Sequence, residues 1–452
     1  MNTSPRKRAG RYGCTTVWMP ALPWRIFTQS SSSISPTRIV TKGRKPLSFL
    51  LLHECVKCLH QREFMISLNY QSKLGGDPML IKNAKVFING RYLDVDVKFA
   101  DGIITAVGKD LVDDEVIDAG GNYLFPGMVD THIHGAAFCE YGDGVEAVKK
   151  IAAALPEHGV TSFLATPLVK QNDVEFTQQT FRNIRTAKKE GYVGADIFGI
   201  FPYMPYRNRS IAYYPDHVPP TPEHTLMMCD GDLSDVKMIY CAPELPGAME
   251  WISWINAQGI VPMVAYSEGT TEQMYEAADR GARIVDHFYN GLPTMDHHNS
   301  GSTVGLLLDD RYYLQMTCDG IHVAKPFIDL ALRLKTAKKI IPVSDSSKFM
   351  GMPEGEYKMG DRTVILKDGS VRDPNGKLVT GAHAYDENMR TMKAMGYSME
   401  DLGTMFSENA ARCFDLKDRG KIEVGRRADL VIMDSELNVV ETFILGESVY
   451  KA

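Results

Sequence analysis

Two histidines one residue apart, His132 and His134, close the run Phe125-Pro126-Gly127-Met128-Val129-Asp130-Thr131-His132-Ile133-His134-Gly135. In an extended strand alternate side chains share a face, so the two imidazoles point the same way. Side by side, neutral imidazoles grip one divalent cation such as zinc, iron or nickel. Three more polar residues end short apolar runs: His287 in Ile284-Val285-Asp286-His287, His322 in Cys318-Asp319-Gly320-Ile321-His322, and Asp345 in Ile340-Ile341-Pro342-Val343-Ser344-Asp345. Histidines with one carboxylate make a donor set for metal-assisted hydrolysis, in which the carboxylate can also move a proton. Singly, each has a plain structural role open to it: a satisfied core or rim histidine, or a helix N-cap for Asp345. Their joint placement is what points to chemistry.

The elements that must position them alternate. Apolar runs at 161–166, 196–200, 237–241, 260–265, 282–287, 313–318 and 340–344 read as strands. Amphipathic stretches at 145–157, 174–190, 248–257, 271–280 and 326–336 fall between them and read as helices. Repeated strand–helix alternation over 129–416 predicts an α/β fold, a (β/α)8 TIM-like barrel, with its chemistry at the carboxyl ends of the strands. Tyr203 and Tyr266 also fall at such ends. Residues 79–125 alternate apolar and polar side chains around Asn89-Gly90 and Asp101-Gly102, which are hairpin turns. The stretches 421–425, 428–434, 439–445 and 448–451 behave the same way. Neither end is large enough to form a sheet core, so residues 79–128 and 417–452 are expected to build one composite β-sandwich beside the barrel.

The 452 residues are 44% hydrophobic and 23% charged with a net charge of −6, the balance of a soluble globular protein and not of a nucleic-acid binder. Eight cysteines, mostly isolated, fit reduced thiols in a cytoplasmic protein. No stretch approaches the roughly 20 apolar residues that span a bilayer. Residues 1–78 carry 12 Lys/Arg against 3 Asp/Glu and are rich in Ser. Such a composition cannot offset its ordering entropy. This segment is expected to be a disordered leader, with a transit peptide less favoured, or to lie upstream of a true start at Met79. His53-Glu54-Cys55-Val56-Lys57-Cys58-Leu59-His60 within it lacks a second ligand pair and carries no metal-site expectation.

Taken together, Pro126-Gly127-Met128-Val129-Asp130-Thr131-His132-Ile133-His134-Gly135, Ala242-Pro243-Glu244, Asp286-His287-Phe288-Tyr289-Asn290-Gly291-Leu292-Pro293, Asp319-Gly320-Ile321-His322, Val343-Ser344-Asp345 and 420–431 resemble the amidohydrolase superfamily. Within it the chain is similar to the N-acetylglucosamine-6-phosphate deacetylase family, from about Met79 to the end. The resemblance implies removal of an N-acetyl group from an amino sugar in amino-sugar catabolism. It implies one divalent cation, zinc first with iron or manganese as alternatives, on His132, His134 and Asp345. His287 would be a fourth ligand or a hydrogen-bond donor. Asp345 would act as general base toward water and then as general acid toward the leaving amine, through a weak, long contact to the cation. Asn290, Gly291, His298, His322, Thr380 and Gly381 would face the substrate. A homodimer is also implied.

Where the family places a glutamate and a histidine as metal ligands, this chain has Tyr203 and Tyr266. The family's substrate His-Asn pair falls on Tyr214-Pro215, and the arginine it sends to a neighbouring subunit's phosphate falls near His298, in Asp296-His297-His298-Asn299. Tyrosine is a poor zinc ligand in such sites, so the cage built on that glutamate and those histidines is expected to be dismantled. An imidazole lacks the bidentate fork of a guanidinium, which weakens the expectation of a 6-phosphate. Two other functions stay open: a hydrolase of a different amide, and a catalytically silent sugar-binding paralogue.

Overall fold

Pro126-Gly127 is the junction between two kinds of sheet. The strand Tyr123–Pro126 pairs antiparallel with Leu430–Met433 near the other end of the chain. One residue on, Met128–Ile133 pairs parallel with Val160–Ala165. A Cβ on Gly127 would stand 2.1 Å from Thr161 Oγ1 and 2.9 Å from Asp429 Cβ, so only glycine lets the backbone through. The structure, a computed structural model, describes residues 78–211, 217–359 and 362–452. The expectations for residues 1–77, with the Cys55/Cys58 segment, and for Tyr214-Pro215 lie outside the described residues.

Strands from both ends of the chain share one six-stranded sheet, ordered Glu447–Lys451, Val439–Ile444, Leu430–Met433, Tyr123–Pro126, Lys85–Ile88 and Arg91–Asp94. A four-stranded sheet of Ile103–Gly108, Asp96–Ala100, Met79–Lys82 and Val116–Asp118 accompanies it. Ile81, Val97, Phe99, Leu124, Leu430 and Phe443 bury one cluster drawn from both sheets. Each such side chain contributes roughly 1.5–3 kcal/mol on full burial. Asn89 and Asp101 turn the chain at φ 48° and 52°, as their Asn-Gly and Asp-Gly pairs predict. The stretch 421–425 is a loop and not a strand: Gly425 sits at φ 89° and its N–H donates to the Ile104 carbonyl at 2.8 Å.

Between these segments the architecture is mixed α/β. Three parallel strands, Met128–Ile133, Val160–Ala165 and Asp196–Ile200, form one sheet. Five more, Met238–Cys241, Val261–Val264, Ile284–Val285, Tyr313–Met316 and Ile340–Pro342, form another. Parallel bridges join the two at Ile200–Val236 and Ile133–Ser346. Helices Val145–Ala154, Val174–Glu190, Ala248–Ala257, Thr271–Asp279 and Lys325–Lys335 stand where the periodicity places them. Their apolar faces (Ile151, Phe181, Ile184, Trp251, Ile328) pack with Phe163, Ile239, Val264 and Leu314 of the strands. The opposite strand faces bury Val129, Leu164, Met238, Met263, Ile284 and Ile341 together.

One element was not anticipated. After the last parallel strand the chain forms a four-stranded antiparallel sheet, Gly355–Met359, Arg362–Lys367, Ser370–Arg372 and Leu378–Gly381. Asp368-Gly369 and Asn375-Gly376 are the hairpin signals that mark it. A parallel bridge from Gly381 to Ser346 ties its last strand to the residue after Asp345. The described cysteines, Cys139, Cys229, Cys241, Cys318 and Cys413, are free thiols. Among the described residues no helix is long and apolar enough to cross a membrane.

Candidate active site

His132 is the penultimate residue of the first parallel strand, Met128–Ile133, and His134 directly follows that strand. Their rings lie 4.8 Å apart, with the two Nε2 atoms at 3.0 Å. Asp345, after the eighth strand, brings Oδ1 to 3.3 Å from His132 Nε2 and 3.5 Å from His134 Nε2. The three donor atoms lie within 4.8 Å of one another.

The outer nitrogens decide where protons sit. His134 Nδ1 lies 2.9 Å from the Thr166 carbonyl, which only accepts, so Nδ1 carries the hydrogen and Nε2 a lone pair. His132 Nδ1 lies 3.0 Å from Asp286 Oδ1. The approach is off the N–H axis, so His132 Nδ1 and both Asp286 oxygens are buried without an aligned hydrogen bond. Two imidazole nitrogens and a carboxylate oxygen thus converge and need positive charge between them. Without a cation a proton fills that role. Burial opposes a charge on His132, but Asp345 and then Asp286 outweigh it and raise its pKa to about 9. Burial, then the His132 charge, lowers His134 to about 4. Burial pushes Asp130 up to about 7 against hydrogen bonds from Ser344 and His132. The donor set fits a divalent cation: two imidazoles, one carboxylate, and a second carboxylate behind His132 of the kind that orients a ligating ring.

His287 does not join this cluster of three. Its Nε2 lies 2.9 Å from the Tyr203 hydroxyl and 3.1 Å from that of Tyr266. The two phenol oxygens are 2.6 Å apart, and Asp286 Oδ2 is 3.3 Å from the same nitrogen. Of the two roles the resemblance implies for His287, the geometry matches hydrogen bonding. Tyr203 packs edge-on against His134 at 4.8 Å between ring centroids. Tyr266, His287 and Asp345 hold φ of 47°, 23° and 47°, the left-handed region that side chains avoid unless their surroundings force it.

Of the expected substrate residues, His322 and Gly381 come to the Asp345 side, and Thr380 precedes Gly381 on the strand Leu378–Gly381. A Cβ on Gly381 would lie 3.4 Å from His322 Cε1 and 3.6 Å from the Asp345 carbonyl. His322 Nδ1 pairs with Asp319 Oδ2 at 2.5 Å. Burial opposes both charges, yet this contact holds His322 above and Asp319 below their ordinary ranges. Asn290 is half-buried beside His287, to whose carbonyl its N–H donates at 2.9 Å. Gly291 has a structural reason: at φ 69°, a Cβ there would stand 2.6 Å from Tyr266 Cδ1. His298 is exposed, with its N–H on Asp296 Oδ1 at 2.9 Å.

Sequence reasoning missed Asp286, Asp319 and Arg207 as site residues. The two aspartates stand beside chosen histidines, at one and three residues' distance, which is signal enough to have tested them. Arg207 carries none: it is a buried loop guanidinium, 5.8 and 5.6 Å from the rings of Tyr203 and Tyr266.

Parallel strands bring a His-x-His pair and an aspartate together at their carboxyl ends, in a cluster that could hold a metal ion. The chain belongs to the amidohydrolase family, whose model matches residues 123–449. It is 30% identical over 378 residues to an N-acetylglucosamine-6-phosphate deacetylase of Lysinibacillus sphaericus, spanning 81% of this chain and 97% of the relative. It is 27% identical to an N-acetylgalactosamine-6-phosphate deacetylase of Escherichia coli O157:H7, spanning 78% and 94%. A crystal structure of the Thermotoga maritima N-acetylglucosamine-6-phosphate deacetylase superposes with a TM-score of 0.73 at 28% identity, over 83% of this chain and all of that one.

Proposed function

We propose that this protein hydrolyses the N-acetyl group of an amino sugar, with N-acetylglucosamine-6-phosphate the first candidate, using one divalent cation on His132, His134 and Asp345. The observation that carries the reading is the convergence of His132 Nε2, His134 Nε2 and Asp345 Oδ1. Zinc suits the donors best, with iron or manganese next. A cation held there supplies Lewis acidity toward water and toward a carbonyl oxygen. Asp345 accepts a proton from the attacking water and returns it to the departing amine, general base and then general acid. The Thr166 carbonyl and Asp286 keep the imidazole Nε2 atoms aimed inward. His322, backed by Asp319, and the backbone of Thr380 and Gly381 contact the sugar from the Asp345 side; Asn290 does so from the His287 side. His298, on the exposed 296–299 loop, meets the phosphate end.

The architecture we assign is a closed (β/α)8 barrel over 129–416 with a composite β-sandwich from 79–128 and 417–452, in a cytoplasmic homodimer. The two bridges that join the parallel sheets at both seams support the closure.

The test is acetate release from N-acetylglucosamine-6-phosphate, its galacto isomer and the unphosphorylated sugars, with zinc, iron and manganese supplied separately. Cation-dependent release from at least one sugar is the expected result. Absence of release from all of them, with no cation retained by carefully prepared protein, favours the silent sugar-binding paralogue. Cation binding without acetate release favours a hydrolase of another amide.

A further inference from the structure

Beside the cation cluster three side chains form a closed triangle. Tyr203 Oη, Tyr266 Oη and His287 Nε2 are 2.6, 2.9 and 3.1 Å apart, and all three residues are buried. The triangle is tied to the cation cluster through Asp286, whose two oxygens reach His132 Nδ1 and His287 Nε2. Much of the local backbone is bent to hold it. Tyr266 and His287 take positive φ, and Gly291 lacks the Cβ that would strike the Tyr266 ring. A neutral phenol is a weak ligand for a cation and carries one hydroxyl proton that it can donate. The guanidinium of Arg207 lies against both ring faces, which draws electron density from the phenols and sharpens that donor character.

Hydrogen-bond donors fixed beside a hydrolytic centre, in a water-poor pocket, stabilise oxygen that gains negative charge. Resting on the deacetylase reading, we propose that, when substrate binds, Tyr203 and Tyr266 turn their hydroxyl protons from each other to the carbonyl oxygen of the scissile amide, so that two phenols stabilise the oxyanion beside the cation. The water oxygen bonds to the carbonyl carbon and its proton passes to Asp345. The C–N bond then breaks as that proton moves to the amine nitrogen. Acetic acid and the free amine leave and exchange one proton in water. The phenol protons stay on their oxygens throughout.

Tyr203→Phe, Tyr266→Phe and the double variant test this, since phenylalanine keeps the packing and removes only the hydroxyl. Each single change is expected to lower kcat about 100-fold, with KM within threefold and the bound cation unchanged at one per chain. A methylphosphonamidate of the amino sugar, whose tetrahedral oxygen copies the oxyanion, should bind the double variant at least 100-fold more weakly, while the product amine binds equally. A double variant within fivefold of the parent in kcat, or equal affinity for the phosphonamidate, overturns the proposal. So does a tyrosinate-to-iron charge-transfer band in ferric-loaded protein that the Phe variants lose, because the phenols would then be ligands. An inactive parent protein would remove the deacetylase reading and this inference together, whereas an active parent with unaffected variants sinks the tyrosine roles alone.

Discussion

Gly291→Ala offers the sharpest quantitative check on the arrangement around Tyr266. The added Cβ would lie 2.6 Å from Cδ1 and 2.8 Å from Cε1 of that ring. Carbon atoms rest about 3.5–4.0 Å apart, so the ring must retreat by roughly 1 Å. Its hydroxyl moves with it and loses the contacts at 2.6 Å to Tyr203 and 3.1 Å to His287. Two hydrogen bonds are worth about 2 kcal/mol together. A non-glycine residue at φ 69° adds roughly 1–2 kcal/mol. Stiffening the unfolded chain returns about 0.4–1 kcal/mol. The net expectation is a loss of about 2–3.5 kcal/mol, read by urea unfolding. In a Tyr266→Ala background the obstructing ring is gone, so Gly291→Ala should cost only the backbone part, about 1 kcal/mol. An equal cost in the two backgrounds, or a cost below about 1 kcal/mol in the parent, would refute the steric account.

Three further outcomes are expected. A divalent cation at about 100 times its dissociation constant should stabilise the fold by about 2.7 kcal/mol, and His134→Ala should abolish the shift in melting temperature; a parent that melts identically with cation and with chelator excludes the site. Asp345→Asn should lower turnover by at least about 100-fold with unchanged circular dichroism, and normal turnover would exclude Asp345 as proton carrier. His158 Nδ1 lies 2.9 Å from Asp386 Oδ1, away from the site. Burial opposes charge on both partners, but the contact outweighs it, raising His158 and lowering Asp386. The histidine's contribution is therefore complete below the unfolded pKa near 6.5 and fades as pH rises through its folded value. The aspartate's contribution is present above its unfolded pKa and fades as pH falls through its lowered folded value. Asp386→Asn should flatten the stability profile in the histidine window; an unchanged slope there would show that the pair is not coupled.

Much of the frame was legible because it is written in local periods. A period of two placed His132 and His134 on one face, and a period near 3.6 marked 174–190 and 248–257 to the residue. Asn89-Gly90 and Asp101-Gly102 announced their turns through backbone freedom alone. The same signals stood at Asp368-Gly369 and Asn375-Gly376, where the expectation of one uninterrupted strand–helix alternation hid a four-stranded sheet. The stretch 421–425 alternates like a strand, but no neighbouring edge takes up its full length, and pairing is not a property of one segment.

The strand–helix alternation, the side chains at the strand ends and the presence of tyrosine at 203 and 266 were settled by the sequence itself. Only the tertiary structure decided that Asp286 spans His132 and His287, that Tyr203 and Tyr266 meet over one imidazole nitrogen, and that Gly291 is needed for a ring 25 positions earlier. The reason is range. Periodicity and turn chemistry act within a few residues and survive as pattern. Contacts between strand ends depend on sheet register and loop path, which are fixed by the packing of the whole chain.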